Sequence, residues 1–200
     1  MPKLYPGYRD EIRKKIVTEA FSLFLTNGFE KTKMEDVAAR LNVTKPAIYR
    51  YFRNKEELFF AALVEQLMQE YNTAFTRSFV TGDLLCDGGI FFDAILALHQ
   101  KYATISLDII KVMTRNELLR AGVRDYQTEV LRITSQYFYL QMRNGRLCPN
   151  LDAQEIAWAF HALIKGAVEN VMMGMDAADA KRMWLSVLAE LLKIQKSPAP

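Results

Sequence analysis

The chain has 200 residues, half of them apolar and 24% charged, with a formal net charge of +3. These proportions match the globular average and exclude a disordered, collagen-like or low-complexity polypeptide. The charge is uneven: residues 1–60 hold 12 Lys and Arg against 8 Asp and Glu, and residues 61–200 hold 14 against 15, the pattern of a small module facing an anion and a larger neutral body.

The first residues, MPKLYPGY, lack the apolar run of a signal peptide. Apolar residues then recur at spacings of three and four almost throughout, without strand-like alternation, so the fold is predicted to be all-α. Helix one is expected from about Arg9 to Asn27, with Ile12, Ile16, Ala20, Leu23 and Phe24 as its stripe. Gly28 supplies the C′ position and Phe29 packs back after it. Thr32 and Glu35 read as a capping box opening a short helix that buries Val37, Ala38 and Leu41. Asn42 tolerates positive φ in the following turn. Thr44 is expected to cap a third helix with Pro46 in its first turn. Asn54, with Glu57, caps a fourth that runs to about Phe79, roughly 39 Å long at about 1.5 Å per residue. Gly82, Asp83, Asp87, Gly88 and Gly89 read as a loop. Further helices are expected at 89–102, 104–120, 123–144, 152–174 and 176–195, with Asp152 and Asp176 as caps and Gly145 and Gly174 as terminators.

Residues 32–52, TKMEDVAARLNVTKPAIYRYF, form two short capped helices joined by a tight turn, which is the grammar of a helix-turn-helix. The second of these, Lys45 to Tyr51, buries Ile48 and turns Lys45, Ala47, Tyr49 and Arg50 outward. Lys and Arg can donate to guanine O6 and N7, and Ala can touch a thymine methyl. Lys55 stands at the start of the next helix, where free N–H groups favour an anion.

The stretch from helix one to Leu58 resembles the TetR family of bacterial and archaeal transcriptional regulators. The resemblance is carried by Gly28, Phe29 and Thr32, by Val37-Ala38, by the run Asn42 to Phe52, and by Asn54 to Leu58, together spanning 31 residues. Two positions depart from the family pattern: Asn42 stands where the turn usually has Gly, and Pro46 where many members have Gly. The resemblance implies a helix-turn-helix DNA-binding domain over residues 1–53 and a ligand-binding and dimerisation domain over 54–200. It implies a homodimeric repressor on a palindromic double-stranded DNA operator, released by a small molecule. Carried over residue by residue, Thr32, Lys33, Thr44, Tyr49, Tyr51 and Lys55 would touch phosphates. Lys45, Pro46, Ala47 and Arg50 would face base edges. Tyr51 reads equally as core packing beside Phe52, and Lys33 as a solvated lysine.

In the body, the window 153–173 has 14 apolar residues and still carries Glu155, His161, Lys165, Glu169 and Asn170, too polar for a membrane span. A helix apolar nearly all round is buried on more than one side. By the family pattern the last two helices form the dimer interface, through Phe160, Leu163, Ala167, Val171, Met183, Trp184, Val187 and Leu191. The middle helices are rich in aromatic residues and methionine, suited to a small apolar or aromatic effector. The expected pocket residues are Phe92, Ile95, His99, Tyr102, Asp108, Met113, Tyr137, Phe138, Trp158 and His161. Asp108 reads either as a solvated residue or as a polar handle in the cavity. Cys86 and Cys148 each precede a histidine, His99 and His161, by 13 residues, a spacing that matches no compact zinc motif. No cofactor is expected. No phosphate-binding glycine loop, GxSxG or HExxH is present, so an enzyme is not expected. The expected location is the cytoplasm, without a membrane partner. The alternative function is a dimeric DNA-binding adaptor whose body docks a protein and takes no small molecule.

Overall fold

A computed structural model describes residues 7–103, 105, 108, 112, 116–147 and 152–192, without the side chains of residues 118 and 119. Among the described residues there are eight helices and no strand: α1 Tyr8–Asn27, α2 Met34–Arg40, α3 Lys45–Tyr49, α4 Lys55–Ser78, α5 Leu84–Lys101, α6 Glu117–Arg143, α7 Ala153–Met172 and α8 Ala177–Leu191. The chain divides into two compact units, residues 1–69 with 102–124, and residues 70–101 with 125–200.

The first unit is built round Ile16, Ala20 and Phe24 of α1, Val37 and Ala38 of α2, Ile48 of α3, and Leu58, Phe59 and Ala62 of α4, all buried. Phe29 follows Gly28, whose φ is +79°, and folds back onto Phe24 with ring centroids 6.0 Å apart. Phe59 lies against both rings, at 4.9 and 4.8 Å. Helix α2 ends in a Schellman turn. Val43 N–H reaches Ala38 O at 3.0 Å, Asn42 N–H reaches Ala39 O at 3.1 Å, and Asn42 takes φ +53°. Asparagine tolerates this left-handed conformation where most residues do not, so its substitution for the usual glycine keeps the turn.

Two expected caps are not formed. The α2 box uses Asp36, whose carboxylate accepts Lys33 N–H at 2.8 Å, in place of Thr32 and Glu35. Thr32 is fully buried instead, its hydroxyl 2.8 Å from Gly28 O and 3.3 Å from Leu23 O. Thr44 makes no side-chain cap on α3; its backbone carbonyl takes Ala47 N–H at 2.9 Å. Asn54 does cap α4, accepting Glu57 N–H at 2.7 Å, while Glu57 answers through Arg53 N–H at 2.7 Å.

The second unit corrects one element. Gly88 and Gly89, read as part of a loop, lie inside α5. Asp83 starts that helix by accepting from Leu85 and Cys86 N–H, both at 3.0 Å. Buried Asp87 closes the preceding turn, accepting from Thr81 Oγ1 at 2.7 Å and Gly82 N–H at 3.0 Å. The two glycines face α8: a Cβ on Gly88 would stand 3.3 Å from Leu188 and 3.4 Å from both Leu185 and Trp184. They are contact residues, and the helix tolerates them because packing outweighs a propensity cost of about 1 kcal/mol each. Helix α6 starts six residues before the expected 123, and most of the expected helix 104–120 lies outside the described residues. The caps at Asp152 and Asp176 form as expected, each accepting two backbone N–H groups of the following helix. No helix among the described residues is long and apolar enough to cross a membrane.

The Gly88 contact carries a prediction. Gly88→Val places two methyls where a single Cβ already touches α8, and overpacking of this kind costs about 1–3 kcal/mol. Thermal melting of the variant is expected to show a lowered midpoint; an unchanged midpoint would mean α5 and α8 are not in this contact.

Candidate nucleic-acid interface and ligand-binding body

Helix α3 has five residues, too few to be stable alone. Its position is set by Ile48, which is 0% exposed, and by the Asn42 turn. The rest of the helix and the residue after it are left outward: Lys45, Pro46, Tyr49 and Arg50 are exposed and Ala47 is half-buried. Thr44 and Lys33 are also exposed, and Tyr51 is half-buried beside buried Phe52. Thr32, also among the expected contacts, turns its hydroxyl inward.

Two lysines have partners that the residue pattern did not disclose. Lys45 pairs with Glu35 of α2 and lies 5.7 Å from the Tyr49 ring centroid. The bond to Lys45 lowers the Glu35 pKa, and Glu35 raises that of Lys45. A carboxylate is thus held against the exposed cationic face, where DNA phosphates or base acceptors would compete for the same ammonium. Lys55 donates to Phe29 O at 2.8 Å and to Glu30 O at 3.3 Å, with its ammonium 4.2 Å from the Phe29 ring centroid. It fastens the α1–α2 connection to the start of α4. Asp108 fastens the same connection from a second direction, its carboxylate accepting Phe29 N–H at 2.8 Å. Of its two readings, solvated residue or cavity handle, neither describes that bond.

The expected pocket residues divide between the units. Tyr102 belongs to the first, edge-on to Phe21 at 5.7 Å, as does Asp108. Met113 lies outside the described residues. In the second unit, Phe92 and Ile95 are buried, and His99 Nδ1 lies 3.0 Å from Ile95 O within α5. Phe92 meets Trp184 at 5.7 Å. Tyr137, Phe138 and His161 join an aromatic cluster with Tyr71, Phe75, Phe79, Phe91 and Phe160. Trp158, expected in the pocket, is 60% exposed on α7: the buried side of that helix is taken by Ile156, Ala157, Phe160 and Ile164.

A polar knot sits within the cluster. Thr134 Oγ1 lies 2.8 Å from His161 Nε2 and 3.1 Å from Tyr71 OH, and the tyrosine is 3.1 Å from the same nitrogen. Burial pushes the His161 pKa down to about 4 and that of Tyr71 well up, so both rings are neutral near pH 7. Sequence reasoning found His161 but missed Tyr71 and Thr134, whose only signal is polarity on otherwise apolar faces. Among the described residues no group of three or more side chains is placed to hold a metal.

The expected dimer residues also divide. Phe160, Ala167 and Trp184 are buried within the protomer because they fill the α5–α7–α8 core. Met183 and Val187 are 45% and 43% exposed, and Leu163, Val171 and Leu191 are half-buried.

Residues 16–62 match the family model for bacterial regulatory proteins of the tetR family. Over 191 residues the chain is 25% identical to the "Probable acrEF/envCD operon repressor" of Escherichia coli, covering 91% of this chain and 86% of that protein. Its fold is shared with a TetR-family transcriptional regulator of Pectobacterium atrosepticum, with a TM-score of 0.73, 21% identity, and coverage of 98% and 100% of the two chains. It is also shared with a regulator structure from Saccharomonospora viridis solved in complex with choline, with a TM-score of 0.65, 19% identity, and coverage of 90% and 96%.

Three outcomes test these contacts. Lys55→Ala removes charge-assisted bonds to two carbonyls, each class worth about 1.5–3 kcal/mol when buried and less when half-exposed; urea unfolding is expected to show loss of stability even without DNA. Glu35→Gln frees Lys45 and is expected to tighten binding to duplexes of any sequence, read by fluorescence anisotropy; weaker binding would mean the glutamate serves the DNA contact. For His161, the unfolded chain takes up a proton as pH falls through 6.5 while the native ring resists until about 4. Stability is therefore full above 6.5 and is lost through that window, by up to about 3 kcal/mol. His161→Gln is expected to flatten the acid side of a urea-midpoint profile, and an unchanged profile would contradict the buried neutral ring.

Proposed function

From the premise that this chain belongs to the TetR family of transcriptional regulators and carries its DNA-binding helix-turn-helix, we propose that it is a ligand-responsive dimeric repressor. It binds a palindromic operator and is released by a small apolar or aromatic effector. The observation that carries the reading is the outward set Lys45, Pro46, Ala47, Tyr49 and Arg50 around buried Ile48. In this reading those residues face base edges or phosphates, with Lys33, Thr44 and Tyr51 on the flanking phosphates. Lys55 has one ammonium proton beyond its two carbonyl bonds and can add a phosphate contact. The DNA-binding domain is taken as residues 1–53 and the body as 54–200, in a cytoplasmic protein.

The dimer is assigned to the outer sides of α7 and α8. Met183 and Val187 are the exposed apolar anchors, with Leu163, Val171 and Leu191 beside them, and Trp158 and Met172 extend the apolar surface on α7. A two-fold axis through such an interface sets the two α3 helices about 34–36 Å apart, one turn of duplex. Release is a population shift: DNA favours one spacing of the heads and the effector another. A 100-fold change in operator affinity requires about 2.7 kcal/mol of differential binding.

The second reading, an adaptor without an effector, predicts the same DNA binding but no small-molecule response. Lys45→Ala is expected to narrow the gap between operator and random duplex, because a base contact carries sequence discrimination of about 1–3 kcal/mol. Equal losses on both duplexes would contradict its role. Val187→Lys is expected to convert the dimer to monomer in light scattering and to abolish operator binding with it; a dimeric variant would move the interface elsewhere.

A further inference from the structure

We propose that Glu35 is a specificity-determining residue: by neutralising Lys45 on the protein's own surface, it turns that lysine from a phosphate ligand into a reader of guanine. The proposal rests on the DNA-binding reading above and names the base that Lys45 takes.

Glu35 lies in the first turn of α2, and Lys45 opens α3. They form an ion pair between two helices, so the Asn42 turn that joins those helices brings the charges together. The Lys45 side chain is 48% exposed and that of Glu35 is 54% exposed. The pair therefore stands on the surface of the helix-turn-helix and is not part of its core. The same ammonium lies 5.7 Å from the Tyr49 ring centroid, within cation–π reach. Each partner favours the charged form of the other, so both are ionised near neutral pH.

Net charge and hydrogen-bonding capacity are separated in such a pair. Affinity for phosphate follows net charge, because each phosphate that a protein neutralises releases a counterion. An ammonium and a carboxylate in contact carry no net charge between them. A base edge is itself uncharged, and its acceptors need only an N–H. The ammonium has three protons, and Glu35 takes one of them. The others remain for guanine O6 and N7, the adjacent major-groove acceptors that suit a lysine. Adenine keeps N7 but has an amino group where guanine has O6, and its protons would face those of the ammonium. Without Glu35, Lys45 is a point charge on a flexible stem, free to turn to whichever anion is nearest. With Glu35 it is tethered, and the backbone phosphates do not attract it.

The test uses the full chain and a pool of duplexes of random sequence, from which the retained sites define the half-site. The wild type is expected to demand a guanine whose replacement by 7-deazaguanine, which lacks the N7 acceptor, weakens binding about fivefold. Lys45→Met is expected to erase that penalty at the same position. Glu35→Gln is expected to reduce it to about twofold or less. The same variant is expected to steepen the dependence of log affinity on log salt by about 0.9 for each half-site, the signature of one added cation on phosphate. The double variant Glu35→Gln/Lys45→Met exchanges a neutral pair for neutral side chains. Its salt slope is expected to match the wild type while the guanine penalty is lost. Circular dichroism checks the fold of each variant. No guanine sensed through Lys45, a penalty left intact by Glu35→Gln, an unchanged slope in that variant, or a lowered slope in the double variant would overturn the proposal and leave the repressor reading standing. A pool in which no sequence is enriched would contradict both.

Discussion

A helix of five residues does not hold itself. Helix α3 forms only because Ile48 is driven into the core of the first unit and because Asn42 turns the chain sharply enough to bring it there. Burial of one isoleucine side chain is worth about 1.5–3 kcal/mol, comparable to the cost of ordering a short isolated turn. The outward residues inherit their positions from that anchor. The chemistry presented to solvent is therefore set by a residue that never meets solvent.

The α1–α2 connection is secured in the same economical way. Phe29 is gripped on its carbonyl by Lys55, on its amide by Asp108, and on its ring by Phe24 and Phe59. In the proposed reading Lys55 joins two tasks, since a cation that satisfies backbone carbonyls can still offer a proton to an anion. Glu35 works in the opposite sense on Lys45. It holds the Lys45 side chain in place and, in the proposed reading, weakens unspecific attraction to phosphate, trading affinity for selectivity.

Much of this was legible from residue types and spacing. The all-α fold, the turn at Asn42, the Asn54 cap and the Asp152 and Asp176 caps follow from local chemistry, and local chemistry is nearly complete information for a helix end. The errors share a cause. Thr32, Thr44 and Glu35 are good capping residues, yet tertiary partners claimed Thr32 and Glu35, and the Thr44 hydroxyl was left outside. Gly88 and Gly89 look like a break until α8 is laid against them. Trp158 and Phe160 are two residues apart in an apolar run, and only the neighbouring helices decide that one faces out and the other in. Long-range bonds such as Asp108 to Phe29, 79 residues apart, leave no trace in spacing.

The body follows a different logic from the head. Its aromatic cluster takes in the Tyr71 and Thr134 hydroxyls and the His161 imidazole, polar groups that an all-apolar core would avoid. The helix-turn-helix, in the proposed reading, presents two copies of α3 to one face of a duplex. Hydroxyl-radical footprinting of the purified protein on its own promoter fragment tests that most directly. Two protected segments whose centres lie about one helical turn apart, lost together as salt is raised, are expected. A single unsplit segment, or no protection even at low ionic strength, would contradict the account.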